Sequence, residues 1–545
     1  MCEARLPCIP CIEAIVRLGI AFLLALTLIG LAAACNFVTP AADIAVVTQE
    51  ASESSTALPT QSPFLTSSPH PAVKPSAPVT VSTAEPTACP TDQPTPSLTA
   101  EPTACSTDQP TPSLTAELTA QPPTPSPISG PAAWEQAITL NTYGWREALV
   151  ATDPGDAIYP YPRLDFDAVT GPAPREYQAI FIQNSYVQLV VVPELGGRIL
   201  RWTDLTTGRQ LFYANPVIKP TRWGYRGWWL ATGGMEWAFP EQEHGLNEYR
   251  PWQYELLWNG VRVWDTEDRT GMTVEVTIQL DDEHNYFTLT PRITNLTEEP
   301  HPYQFWANSM LSLSDYNTPS PDLTFILPDD AVTVHSTGDG GLPNPGGQMT
   351  WPVHGGRDFS RYGEWHQYLG VFANPAQAGF VGAYDLSSDQ GIVRVFPHTV
   401  ATGVKIFCMG DLSSSLWTDD SSRYFELWAG LTPTFWDYWT LQPGASVTWS
   451  ERWYPVSGIG GYNWANEETA IRLVHSDDSA EVAVATSRAM NGTVLLRRGG
   501  AEVQRWDALI APGQPFHAAV GPVSTGGDWG VQVIEGGVIV AEIMS

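Results

Sequence analysis

The feature that most constrains this chain is strict two-residue alternation in short runs. In Met272–Leu280 (MTVEVTIQL), Val274, Val276, Ile278 and Leu280 fall on one face, and Thr273, Glu275, Thr277 and Gln279 on the other. That is the period of a half-buried antiparallel strand. Tyr186–Pro193 and Tyr286–Asn295 are of the same kind, and Asp281–Asn285 reads as a hairpin connection between two such strands. No long stretch carries a 3.6-residue period, so the chain is expected to be all-β. Many short strands between 132 and 460 point to a large antiparallel β-sandwich. A boundary is expected at the glycine-rich Gly458–Gly461. Beyond it Glu481–Thr486, Thr493–Arg498, Gly530–Ile534 and Val538–Ile543 suit a small β-sandwich over 461–545.

The N-terminal side is of another texture. Pro40–Pro131 is mostly Thr, Pro, Ser and Ala, and the sixteen residues Thr83–Leu98 return almost unchanged as Thr99–Leu114. Such a segment buries too little apolar surface to offset backbone entropy and is expected to be an extended stalk over 36–131. Ahead of it, Arg5 and Arg17 flank an uncharged apolar run, Leu18–Ala34, that ends at Cys35. Basic, apolar and small-residue zones in this order form a secretory signal over 1–34. Ala32-Ala33-Ala34-Cys35 resembles a bacterial lipobox, which makes Cys35 the lipidation site and the outer face of the cell membrane the expected location. An uncleaved span is the competing reading; the polar stalk that follows favours processing. Only Cys408 lies in the folding region, so no disulfide framework is expected there.

The 58 acidic residues outnumber the 27 basic ones, for a formal charge of −31. A field of that sign excludes nucleic acid as a partner. No HExxH, paired CxxC, EF-hand loop or phosphate loop is present, so no metal and no cofactor is expected.

Five ordered segments carry a resemblance: Tyr159-Pro160-Tyr161, Pro193–Ile199 (PELGGRI), Phe212–Pro220 (FYANPVIKP), Gly233–Pro240 (GGMEWAFP) and Glu426–Thr434 (ELWAGLTPT). Together they resemble a bacterial family of uncharacterised domains with a galactose mutarotase-like fold, some fused to tetratricopeptide repeats. The resemblance implies a β-supersandwich and a carbohydrate ligand. In aldose 1-epimerases of that superfamily a carboxylate takes the anomeric hydroxyl proton and a histidine protonates the ring oxygen. Glu426 is similar in position to the basic glutamate. The histidine follows an Asn-x-Thr-x-x-Pro turn, present here as Asn295–Pro300, and its position falls on Asn308. An amide can hydrogen-bond a ring oxygen but cannot protonate it.

Glu236 follows the Gly233-Gly234 pair, which lets a ligand or another strand approach the backbone. Arg226, Trp228, Trp229, Glu236, Glu241, Glu243 and His244 crowd one short segment, a mixture suited to sugar hydroxyls and C–H faces. The expected ligand contacts are Arg226, Trp228, His244, Trp306, Asn308 and Trp428, although most of the 22 tryptophans should serve the core. Glu426 and Glu236 are the candidate catalytic pair, as epimerase base or as the two carboxylates of a glycosidase. A plain structural salt bridge is the alternative for Glu236. Three functions stay open: carbohydrate binding in a Trp- and Glu-lined cleft, a carbohydrate-active enzyme built on Glu426, and a surface protein whose pocket has closed.

Overall fold

A computed structural model describes residues 130–524 and 526–544. The signal segment, Cys35 and the repeat stalk lie outside the described residues. Within them the chain is all-β, with no α-helix and only four short 3-10 turns. The alternating segment is a strand, Thr273–Leu280, whose Val, Ile and Leu side chains are buried while their neighbours stay half-buried. It pairs antiparallel with Phe287–Thr294, from Thr273 opposite Thr294 to Leu280 opposite Phe287, which makes Asp281–Tyr286 the hairpin connection.

Two sheets form the large sandwich, one of fourteen strands and one of nine. Their facing sides supply one continuous apolar core. Val191, Ile199, Met235, Ala307, Val404 and Leu427 come from the larger sheet, and Val263, Val276, Leu289, Ile392 and Trp453 from the smaller. The side chains that alternate with the first set project from the opposite face of the fourteen-stranded sheet, and that outer face carries the site.

Farther along the chain two four-stranded sheets follow. They enclose a core of their own that includes Val482, Val494, Leu496, Val531 and Val533. The four strands expected there are present, with Val538–Met544 returning from Trp529–Glu535 across Gly536-Gly537. Four more, Trp464–Ala465, Thr469–His475, Ala501–Ile510 and Phe516–Val520, were not expected. In Ala501–Ile510 most side chains are exposed or half-buried, and Glu502, Arg505 and Asp507 obscure the alternation. A third cluster of Phe380, Tyr384, Tyr454, Tyr462, Ala470 and Ala483 packs the small sandwich against the large one.

Candidate functional site: a cavity on the outer face of the large sheet

Strand register assembles the site. Met235–Ala238, Trp306–Leu311, Phe425–Gly430 and Gly403–Cys408 are successive neighbours in the large sheet. Glu236 stands opposite Asn308, Asn308 opposite Trp428, and Trp428 opposite Lys405. One row therefore crosses four strands, and the next row brings Met310, Glu426 and Phe407 together. Because side chains alternate across a strand, every residue in both rows faces away from the sandwich core.

Glu236 is the anchor. It is 1% exposed and meets four donors: the Trp229 indole N–H (3.0 Å), the His244 Nδ1–H (2.7 Å), the Asn308 amide (3.2 Å) and the Arg198 guanidinium (3.2 Å). Burial alone would raise its carboxyl, but His244 and Arg198 hold it below the ordinary range. The preceding glycines explain its placement. At positive φ, a Cβ on Gly233 would lie 2.3 Å from the Tyr213 carbonyl oxygen, and one on Gly234 2.2 Å from that of Ile199. The pair thus admits neighbouring backbone and not a ligand. Arg198, in the PELGGRI segment, is fully buried and also donates to the Leu195 carbonyl at 2.9 Å.

His244 lies flat on Trp229, with ring centroids 3.8 Å apart and planes 21° apart. Burial works against its charge, yet Glu236 raises its pKa and Glu426 adds to the effect. Glu426 is 3% exposed and accepts from the Trp428 indole (2.7 Å) and from the Asn308 amide (3.4 Å). Its carboxyl is raised by burial, in spite of Lys405 and His244 nearby. Asn308 therefore bridges the two glutamates through one nitrogen.

A cavity with about 570 Å³ of space, part of it open to solvent, lies above this network. Glu426, His244, Trp428, Trp229, Trp223, Trp417, Lys405 and Glu243 are among its lining residues. Trp223 is 45% exposed at the rim. Three of the expected residues, Glu426, His244 and Trp428, meet in the cavity wall. Two others, Glu236 and Asn308, sit behind that wall and hold it.

The remaining three stand elsewhere. Arg226 is buried against Glu248, donates to the Leu246 carbonyl at 2.5 Å, and lies over the rings of Trp228 (4.2 Å) and Tyr249 (4.5 Å). Trp228 donates to the Pro162 carbonyl and packs with Trp145 and Tyr249 in a separate apolar cluster. Both serve the fold here: neither lines the cavity, and Arg226 is held by a buried carboxylate, a carbonyl and two aromatic faces. Trp306 covers Gly430 and Gly403, where a Cβ would come within 2.3 Å and 2.5 Å of its ring, and packs against Phe372 and Phe435. It fills the space two missing side chains leave. Nor is Glu236 placed as the second carboxylate of a glycosidase, since it lies outside the cavity lining with its oxygens occupied.

Lys405, His335 and Tyr424 line the cavity and were not foreseen. The signal for Lys405 was present: in Gly403–Cys408, Val404, Ile406 and Cys408 mark the core face, which leaves Lys405 with Phe407 on the other. No group of three or more His, Cys, Asp or Glu that could hold a metal ion occurs among the described residues.

A model of the family described as "Domain of unknown function (DUF5107)" matches residues 154–456. Among solved structures, a TPR-domain containing protein from Parabacteroides distasonis aligns over 60% of this chain with 22% identity and a TM-score of 0.51. The present chain spans 55% of that protein, and the likeness is one of fold. A galactose mutarotase-like protein from Lactobacillus casei aligns over 51% of this chain and 100% of its own, at 12% identity and a TM-score of 0.37. Another from Clostridium acetobutylicum aligns over 52% and 96%, at 12% identity and 0.38.

Proposed function

This chain belongs to the family of domains of unknown function DUF5107, and from the cavity its large sheet builds we propose that it binds a carbohydrate there. The observation that carries the reading is the convergence of four indoles, Trp223, Trp229, Trp417 and Trp428, on a space that also holds Glu426, His244 and Lys405. Indole faces suit the C–H surfaces of a pyranose, and a carboxylate flanked by N–H donors suits its hydroxyls. The lining residues are held before any ligand arrives, so little ordering cost falls on binding. The same reading places the domain outside the cell on a stalk, held to the membrane through acylated Cys35.

The test is tryptophan fluorescence and calorimetry of the chain against a panel of mono- and oligosaccharides. A saturable change that Glu426→Gln weakens by tenfold or more (about 1.4 kcal/mol) supports the proposal. Silence across the panel at millimolar concentration overturns it.

A second reading is favoured by one observation: Glu426, with its carboxyl raised by burial, faces the same space as the imidazole of His244, whose pKa Glu236 raises. A base and an acid on one cavity wall are what sugar epimerisation needs, with His244 supplying the proton that Asn308 cannot. If Glu426→Gln loses turnover of a bound sugar while keeping its affinity, the protein is an enzyme. Unchanged turnover removes Glu426 from the mechanism.

A further inference from the structure

The chain has only three lysines, Lys74, Lys219 and Lys405, among 27 basic residues. Lys219 is fully engaged: its ammonium donates to the Ser415 carbonyl at 2.8 Å and pairs with Asp419 at 2.7 Å. Lys405 is placed in the opposite way. It is 3% exposed, lines the cavity, and has no hydrogen-bond acceptor and no carboxylate within ion-pair distance among the described residues. Its Nζ instead lies over three aromatic faces, Phe435 at 4.5 Å, Trp428 at 4.6 Å and Phe407 at 5.0 Å. Glu426 is its diagonal neighbour across the strand pair, since Lys405 stands opposite Trp428 and Phe407 opposite Glu426.

We propose that Lys405 is an amine nucleophile that captures an aldehyde in this cavity as an imine, with Glu426 moving the proton. An arginine at this place would serve as a permanent cation; an ammonium can be made neutral, and burial without an acceptor among the described residues favours that more than the ring faces oppose it. Burial pushes the Lys405 pKa down to about 8, against the pull of Glu426 and Glu243.

The step balances as follows. The ammonium passes one proton, through water in the cavity, to the Glu426 carboxylate. The freed amine adds to the carbonyl carbon: the C–N bond forms, the C=O π pair moves to oxygen, and the nitrogen's proton passes to that oxygen, giving a carbinolamine. The protonated Glu426 then protonates the hydroxyl, the C–O bond breaks, water leaves, and a protonated imine remains beside a regenerated carboxylate. No oxidant or reductant is consumed. The inference rests on the saccharide reading only for the identity of the carbonyl, which would be the aldehyde of an open-chain sugar.

The experiment treats the full chain with glycolaldehyde and cyanoborohydride, which reduces imines in place, and maps adducts by peptide mass spectrometry. With a pKa of about 8 against an ordinary 10.4, Lys405 presents roughly a hundredfold more free amine at neutral pH than an exposed lysine. Its labelling should be at least about tenfold faster than that of Lys219 or Lys74, and should rise towards a plateau above pH ~8. Lys405→Arg, which keeps the charge, should abolish the adduct and retain the fold by circular dichroism. Labelling of Lys405 no faster than of Lys219, or an adduct that survives in Lys405→Arg, overturns the proposal. Saturable sugar binding without an adduct overturns this inference alone, whereas an adduct without sugar binding overturns the saccharide reading alone.

Discussion

Lys405 is the side chain whose replacement tests the electrostatics of the cavity most directly. Its ammonium is buried without an acceptor, and burial takes its pKa from the ordinary 10.5 to about 8. That difference corresponds to about 3 kcal/mol of destabilisation at neutral pH. The three ring faces return part of what hydration would have given and are already present in the fold. Met is unbranched and of similar length and carries no charge, so Lys405→Met should stabilise the chain by about 1–3 kcal/mol at pH ~7. The pH dependence fixes the cause. Below about pH 8 both states hold the proton and the penalty is complete. Between about 8 and 10.5 the unfolded chain binds more protons than the folded one, so the parent's stability rises with pH. The advantage of Lys405→Met should therefore shrink across that window and vanish above it. Urea unfolding of both proteins at pH about 7 and about 10, followed by tryptophan fluorescence, reads this directly. A variant less stable than the parent at neutral pH would show that the aromatic faces more than offset desolvation, and would refute the reasoning.

Glu236→Gln leaves Arg198 and His244 buried without their anion and should cost about 3–5 kcal/mol by urea unfolding. The same pair sets a pH window: lowered Glu236 contributes above its ordinary 4.5 and is lost as pH falls through its folded value. Raised His244 contributes below 6.5 and is lost as pH rises through its folded value, so the pair's stabilisation should plateau between. Both edges should flatten in a His244→Gln variant followed by thermal denaturation across pH, and persistence of either would assign it to other groups. Gly430→Ala drives a methyl into the Trp306 ring, 2.3 Å away, and should cost at least about 1–3 kcal/mol, where an unchanged melting temperature would contradict the packing. Cys35→Ala should release the chain from the membrane fraction and abolish fatty-acid labelling; continued membrane association would point to an uncleaved span.

The fold was legible in the sequence because the sandwich core selects an alternation that its half-buried strands keep. Val274, Val276, Ile278 and Leu280 show it without interruption, and the hairpin that follows needs only local turn chemistry. Ala501–Ile510 was not legible, because most of its side chains reach solvent and charge interrupts the pattern. The residues of the candidate cavity were legible in part. Glu426 and Trp428 came from a motif and His244 from a crowded polar segment, but which polar residues share a cavity depends on register between strands up to a hundred and more residues apart. Arg226 and His244 stand close in sequence, and the fold pairs one with Glu248 and the other with Glu236. Spacing along a loop carries no record of that partition. Lys405 had a signal of its own, being a rare lysine in line with Phe407 on a strand whose other face is apolar.

Asn308 ties the two glutamates of this wall together. Its amide nitrogen donates to Glu236 at 3.2 Å and to Glu426 at 3.4 Å, while its own carbonyl oxygen is buried without a partner. Turning the amide over would set that oxygen against two carboxylates, so electrostatics fix the orientation despite the unpaired acceptor. A histidine here could not donate to both glutamates from one nitrogen, and its own titration would compete with theirs. The amide keeps its protons at every pH and leaves the charge of the cavity to Glu426, Lys405 and His244. His244 occupies another strand connection yet reaches the same space, because Glu236 holds its Nδ1 and Trp229 holds its ring plane. The cavity wall around it carries two N–H groups that can titrate, on His244 and Lys405. Sheet register sets Lys405 opposite Trp428, and the hold of Glu236 and Trp229 on its ring brings His244 to the same space.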